Sequence, residues 1–177
     1  SIYRNNKHYF VRFKDGVPEE PLRIINENIE DGKTGTYIRF WPSENIFTNI
    51  NFEKSTIEHR LRELAFLNSG ISIILKDLRV DSLYETKLFY EGGIKEFVKY
   101  LNKGKNPIHP NTIYGENKLD ATVVEFALEW TDSYHETILC FTNNIPQKDG
   151  GTHLAGLKSA LTRVVGNFIS NNKKDLK

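Results

Sequence analysis

The sequence has 177 residues, 38% of them apolar and 27% charged, a composition typical of soluble globular proteins with one or two modest cores. The formal net charge is +1, so no bulk excess of lysine and arginine indicates nucleic acid as a partner. No apolar run approaches the roughly 20 residues of a membrane span, and the first residues lack the apolar centre of a signal peptide. These observations exclude a membrane protein and predict a cytoplasmic one.

The first third of the chain is predicted to be rich in strands. Two short strands within residues 2–13 flank Asn5-Asn6, a dipeptide that tolerates the positive φ of a tight hairpin turn. Further strands are predicted over residues 22–25 and 35–41, and Pro42 ends the second of them.

The middle of the chain contains a predicted amphipathic helix over residues 54–67, which Gly70 ends. Strands over residues 71–75 and 84–90 follow, and then Gly92-Gly93 interrupts the pattern. We therefore predict a domain boundary there, with one domain over residues 1–91 and another over residues 92–177.

The second domain is predicted to contain helix, hairpin and helix. The first helix covers residues 94–102, and a strand with one buried face covers residues 123–130, with residues 136–141 as its hairpin partner. The last helix is predicted to start near Thr152, whose hydroxyl caps it. This order of elements predicts an α+β fold of two layers. Both ends of the sequence lie within element-like patterns, so we expect a fragment.

The motifs that would indicate metal binding or a nucleophile are absent from the sequence. The five histidines have no metal-ligand spacing, and Cys140 is the only cysteine, which excludes an internal disulfide or a CxxC site. Residues 151–159 nearly match the phosphate loop GxxxxGK[ST], but Leu157 stands where the lysine is required. Capping and packing explain that stretch, and no metal site is predicted.

The strand over residues 35–41 suggests one binding function, since its alternation puts Thr36, Ile38 and Phe40 on one face. One hydroxyl on an apolar wall suits a pocket for a flat heteroaromatic ring, although an ordinary strand is the competing interpretation. Arg4 and Lys158 are equally compatible with surface charges, and Lys158 with a contact to a phosphate backbone.

Four long blocks resemble the B subunit of bacterial DNA gyrase, and the resemblance covers essentially the whole chain. The blocks are KTGTYIRFWPS from Lys33, RLRELAFLNSG from Arg60, YEGGIKEFV from Tyr90 and FTNNIPQKDGGTHLAG from Phe141. The resemblance implies that residues 1–91 are the C-terminal portion of an ATPase domain of the GHKL or Bergerat type. Residues 92–177 would be the N-terminal portion of a transducer domain, similar to the second domain of a small-subunit ribosomal protein.

The resemblance also implies an activity for the parent protein, an isomerase that couples ATP hydrolysis to DNA strand passage and negative supercoiling. Its cofactors would be ATP and magnesium. Its partners would be DNA and the gyrase A subunit, with two B subunits pairing in an A2B2 assembly. The topoisomerase IV B subunit is one alternative, and a non-catalytic α+β interaction module is another.

Four site residues follow from matching the family's motifs. Thr36 matches a threonine that reads the adenine edge and also contacts aminocoumarin antibiotics, and Ile38 should line the same pocket. Arg4 aligns with an arginine at the pocket rim. Lys158 aligns with a basic residue, usually arginine, that faces the DNA-holding cavity, and lysine keeps its charge but loses the bidentate fork.

The resemblance gives this chain no catalytic residue. The family's catalytic glutamate, magnesium-binding asparagine, adenine-binding aspartate and glycine-rich lid match nothing in these residues and are expected before Ser1. The transducer lysine that reaches the γ-phosphate is expected beyond Lys177. We therefore expect the chain alone to be inactive and to hold no bound ligand.

Overall fold

The structure is a computed structural model that describes residues 1–30, 32–79 and 84–172. Those residues form twelve strands and three helices. The strands are β1 (Ile2–Arg4), β2 (Lys7–Phe10), β3 (Phe13–Lys14), β4 (Val17–Pro18), β5 (Arg23–Asn26), β6 (Gly35–Thr36), β7 (Ile73–Asp77), β8 (Tyr84–Leu88), β9 (Ile113–Leu119), β10 (Thr122–Leu128), β11 (Phe141–Thr142) and β12 (Ile145–Pro146). The helices are α1 (Lys54–Leu67), α2 (Gly93–Leu101) and α3 (Gly151–Asn171).

The chain divides into two compact units, Ser1–Glu53 and Lys54–Lys177. The mixture of helices and strands confirms the predicted α+β class. The predicted domain boundary between residues 91 and 92 lies inside the second unit, and it stays a prediction.

The first unit is built on a four-stranded sheet in the order β5-β2-β1-β6. Its central hairpin, β1 and β2, turns at Asn5 and Asn6, whose φ angles of 52° and 55° confirm the predicted positive-φ turn. On the other side of β1, the antiparallel strand β6 pairs Ile2 with Thr36.

The predicted strand over residues 35–41 is wrong in length, because β6 ends at Thr36. The last backbone pairing on this side joins Tyr37 to Ser1, through the Tyr37 N–H to the Ser1 carbonyl at 2.8 Å and the Ser1 ammonium to the Tyr37 carbonyl at 2.9 Å. Residues 38–41 lie beyond this pairing and form no strand in the structure. Phe40, predicted to share a strand face with Thr36, packs edge-on against Phe52 instead.

The second unit has its core where α1, α2 and the β7–β8 hairpin meet. The buried apolar residues of the described chain are Ala65, Phe66, Leu88 and Phe97. Helix α1 has the predicted bounds, and Gly70, with φ at 82°, follows its end as predicted. Helix α2 begins at Gly93, whose φ of 56° explains why the pattern breaks there.

Strand β10 forms a hairpin with β9 and not with residues 136–141, so the predicted partner is wrong. The register runs from Thr122 opposite Leu119 to Leu128 opposite Ile113, and Asp120 takes the positive φ of the connecting turn. Residues 113–119 contain glycine, asparagine and charged residues that mask a strand pattern. The predicted buried face of β10 is also only partly covered, since Val124 is 53% exposed.

Helix α3 starts at Gly151, and its N-cap residue is Gly150 in a left-handed conformation without a side-chain cap. The predicted cap at Thr152 is therefore wrong, because that residue already lies inside the first turn. Leu154, Leu157 and Leu161 are half-buried, whereas Phe168 is 62% exposed. No helix within the described ranges is both long enough and apolar enough to span a bilayer.

Candidate functional site

The first candidate site is one face of the sheet in the first unit. Residues directly opposite in an antiparallel pair share a face, as do residues two apart in a strand. Thr36 lies opposite Ile2, and Arg4 lies two residues beyond Ile2, so Arg4 and Thr36 share one face of the sheet. Both are exposed. This face can therefore offer a hydroxyl and a guanidinium to one ligand.

Ile38, the third residue predicted for this site, lies beyond the end of β6 and is 78% exposed. An isoleucine that is so exposed has lost little of its contact with water, and covering it would stabilise a complex by about 1.5–3 kcal/mol. The structure thus brings Arg4 and Thr36 to one sheet face and leaves Ile38 in the segment that follows.

The opposite face of the same sheet is already occupied by aromatic packing. Tyr3 and His8 stack with ring centroids 4.2 Å apart, and the Lys33 ammonium lies 4.5 Å from the Tyr3 ring centroid. These contacts stabilise the β1–β2 hairpin on the face opposite to Arg4 and Thr36. Arg4 and Thr36 lie on the other face of the sheet, and both are exposed.

The second candidate site surrounds Lys158 on α3. Its ammonium lies 3.4 Å from the Glu136 carboxylate, and both side chains are more than half exposed. An exposed pair of this kind contributes about 0–1 kcal/mol, so an anion of higher charge could replace Glu136. Sequence reasoning missed this partner, because the two residues are far apart in the chain.

A groove of about 420 Å³ adjoins Lys158 in the second unit. Its apolar floor comes from the first half of α3 and from α2, and its polar rim comes from the segment after β10. The lining residues include Leu101, Asn102, Glu129, Trp130, Tyr134 and Leu157. The ammonium of Lys158 therefore stands at the edge of a partly apolar concavity.

A polar network on α1 also escaped sequence reasoning. Glu58 accepts hydrogen bonds from the Tyr84 hydroxyl at 2.7 Å and from Arg62 at 2.6 Å. The hydrogen bond from Tyr84 is the main cause that lowers the pKa of Glu58, against the opposing effect of burial. Arg62 also donates to the Tyr90 hydroxyl at 2.7 Å. This network joins α1 to the β7–β8 hairpin and to Tyr90.

A metal centre has no candidate within the described ranges, where no three histidine, cysteine or acidic side chains are close enough to hold an ion.

Comparison with known proteins identifies what the chain resembles. The family model described as DNA gyrase B matches residues 93–177. The DNA gyrase B subunits of Rickettsia typhi and Rickettsia prowazekii are 51% and 52% identical over 98% of this chain. The chain spans 22% of the length of each of these two relatives.

A solved structure shows the same arrangement of elements. It is the 43K ATPase domain of Thermus thermophilus gyrase B in complex with an aminocoumarin, which is 32% identical with a TM-score of 0.79. The match covers 97% of this chain and 46% of that one. The arrangement of helices and strands described above is therefore that of a segment of that domain.

Proposed function

We propose that the chain belongs to the DNA gyrase B family and is a segment of the subunit that couples ATP binding and hydrolysis to DNA strand passage and negative supercoiling. One observation carries the proposal, the 51% identity to a gyrase B subunit along 98% of the chain. Similarity that continues through both compact units supports a shared role for both.

We assign residues 1–91 to the end of the ATPase domain and residues 92–177 to the start of the transducer domain. Two observations support this assignment. The family match begins at residue 93, and α2 begins at the same residue, the second glycine of the Gly92-Gly93 pair.

The Arg4–Thr36 face is proposed to be part of the nucleotide pocket. A threonine hydroxyl can both donate and accept a hydrogen bond, which lets Thr36 recognise the polar edge of adenine. Ile38 would cover the face of the base, and Arg4 would stand at the rim. Because Thr36 and Ile38 are exposed here, the rest of the pocket is assigned to residues outside this sequence.

The cofactors proposed for the parent protein are ATP and magnesium. The family's catalytic glutamate and magnesium-binding asparagine match no residue of this chain, so the 177 residues alone would not hydrolyse ATP. Since the Thermus relative is described in complex with an aminocoumarin, the same pocket is proposed to bind that class of antibiotic.

Lys158 is proposed to face DNA from α3. Its ammonium is paired only weakly with Glu136, so a phosphate, which carries more charge density, can compete for it. The other proposed partners follow from the family: the gyrase A subunit, a second B subunit, and an A2B2 assembly in the cytoplasm.

Reconstitution of the full-length subunit with its A partner tests this function. We expect relaxed plasmid to become negatively supercoiled when ATP is present, with no supercoiling when ATP is left out. An enzyme that only relaxes and decatenates DNA would instead be a topoisomerase IV. A full-length protein without ATP turnover would refute both assignments and favour a non-catalytic module.

A further inference from the structure

Two side-chain hydrogen bonds connect the turn between β11 and β12 to α1 and to Asn68, the residue that follows α1. Asn144 takes part in both. Arg60 donates to the Asn144 carbonyl at 2.6 Å, and the Asn144 amide donates to the Asn68 side-chain oxygen at 2.9 Å. These two hydrogen bonds join residues that are 84 and 76 positions apart in sequence. All three residues are half-buried. We call this group the Asn144 contact.

Arg60 on α1 and Asn68, the residue that follows the helix, are each held by a hydrogen bond to α1. Arg60 also donates to Glu63 at 2.8 Å, and the amide of Asn68 donates to the Leu64 carbonyl at 2.7 Å. Each side chain therefore faces Asn144 in one orientation, and little rotamer freedom remains to be lost. A shift of α1 is therefore passed on to Asn144 more completely than it would be through long, solvated hydrogen bonds.

The turn itself is stiff. Asn143 and Asn144 have φ angles of 47° and 66°, the pair of positive values that a two-residue hairpin turn requires. The strands on either side pair Phe141 with Pro146 and Thr142 with Ile145. A displacement of Asn144 therefore moves the whole hairpin.

The hairpin leads directly into α3. The Gln147 N–H donates to the Cys140 carbonyl at 2.7 Å, and the Gly150 N–H donates to the Gln147 carbonyl at 3.0 Å. Gly150 is the N-cap of α3, the helix that carries Lys158. A continuous series of hydrogen bonds thus runs from α1 to the start of the helix proposed to face DNA.

We propose that Arg60 and Asn68 are positioning residues, which hold Asn144 and thereby couple the nucleotide-binding portion to α3. The inference rests on the proposed function, in which α1 belongs to the ATPase portion and α3 to the transducer. Neither residue belongs to the proposed nucleotide pocket of Arg4, Thr36 and Ile38. Loss of the Asn144 contact would leave the rate of ATP hydrolysis unchanged but would reduce the supercoiling obtained per ATP hydrolysed.

The test uses the full-length subunit reconstituted with its A partner and measures three rates: unstimulated ATP hydrolysis, DNA-stimulated ATP hydrolysis and supercoiling. In Asn68→Ala and in Asn144→Gly, which keeps the positive φ of the turn, unstimulated hydrolysis should equal that of the wild type. The ATP consumed per supercoil should rise on the order of 2- to 30-fold, the range of coupling energies carried by such contacts. The double variant should be no worse than either single one, because both remove the same hydrogen bond.

Two controls separate positioning from a general loss of structure. Asn68→Asp and Asn68→Ala both remove the amide that donates to Leu64, but only Asn68→Asp keeps an oxygen facing Asn144. It should therefore restore the wild-type ratio of ATP to supercoils. Asn106→Ala removes an unrelated side-chain hydrogen bond, to Asp132 at 2.6 Å, and should leave the ratio unchanged.

Different results would refute the proposed function and the positioning role. A wild-type enzyme without ATP-dependent supercoiling would refute the proposed function. If the wild type supercoils DNA but Asn68→Ala has the same ratio, the positioning role is wrong. It is equally wrong if Asn68→Asp is as defective as Asn68→Ala, or if Asn106→Ala shows the same defect.

Discussion

Phe66 on α1 stacks on Tyr90 with ring centroids 3.7 Å apart and ring planes within 18° of parallel. Phe66 also stacks on Phe97 of α2 at 4.7 Å and is 1% exposed. One aromatic side chain therefore joins α1, the segment after β8, and α2. This arrangement makes Phe66 the centre of the small core of the second unit.

We predict that Phe66→Ala lowers the free energy of unfolding of the second unit by about 3–5 kcal/mol, the usual cost of removing a buried phenylalanine. Urea denaturation of the 177-residue chain, followed by circular dichroism, measures the change. Phe168→Ala is the matched control, because Phe168 is 62% exposed and its removal should change stability by less than about 0.5 kcal/mol. Equal losses in the two variants would contradict the assigned core.

The Asp77–Arg79 pair predicts a dependence of stability on pH. Two hydrogen bonds from the Arg79 guanidinium to the Asp77 carboxylate, at 2.9 Å and 2.8 Å, together with its backbone N–H, lower the pKa of Asp77 to about 2. Since the folded pKa lies below the ordinary value of 3.8, the stabilisation is complete above about pH 4 and is lost as the pH falls toward 2.

The measurement for this pair is the difference in urea midpoint between the wild type and Asp77→Asn at several pH values. We expect the wild type to be more stable at pH 5 and above, and the two to converge as the pH falls toward 2, because the folded-state carboxyl of Asp77 becomes protonated as the pH passes through its pKa of about 2. A difference that stays constant between pH 5 and pH 2 would show that the carboxylate charge has no role.

Thr36→Val is predicted to weaken nucleotide binding by the full-length subunit. One neutral hydrogen bond contributes about 0.5–1.5 kcal/mol, so the Kd for a non-hydrolysable ATP analogue should rise by roughly 2- to 13-fold. Thr36→Ser keeps the hydroxyl and should stay close to the wild type. Calorimetric titration distinguishes the two, and equal affinities for Thr36→Val and the wild type would count against the assigned contact.

Lys158→Gln is predicted to weaken DNA binding in a salt-dependent way. Removing one phosphate contact should reduce the slope of log affinity against log salt by about 0.9 in the reconstituted enzyme. The affinity is obtained from the DNA concentration that half-stimulates ATP hydrolysis. Lys118→Gln, an exposed lysine on β9, is the control and should leave the slope unchanged.

A complementary change removes the competing carboxylate. Glu136→Gln frees the Lys158 ammonium and should tighten DNA binding, by no more than the roughly 1 kcal/mol that an exposed pair contributes. If Glu136→Gln weakened binding, Lys158 would not be the group that meets the phosphate.

Local patterns predicted the parts of the fold that depend on local physics. The Asn5-Asn6 turn and the bounds of α1 follow from residue types at fixed spacing, and the structure shows both. The partner of β10 was missed, since pairing depends on which distant segment supplies a ladder, and residues 113–119 lack a clear β pattern.

The candidate sites were predicted only in part, because local patterns do not reveal contacts between distant segments. Period-two geometry identified Thr36, and the register brings Arg4 onto the same face. Neither the end of β6 nor the pairing of Lys158 with Glu136 is visible in the sequence, because each depends on contacts between distant segments. The Asn144 contact, which joins residues 76 and 84 positions apart, is the extreme case.

The most direct test of the central claim is a crystal structure of the full-length ATPase region with a bound ATP analogue. We predict that the Thr36 hydroxyl lies within about 3.2 Å of a polar atom of the adenine edge, or of one water that bridges to it. A nucleotide bound elsewhere, with Thr36 in open solvent, would contradict the account.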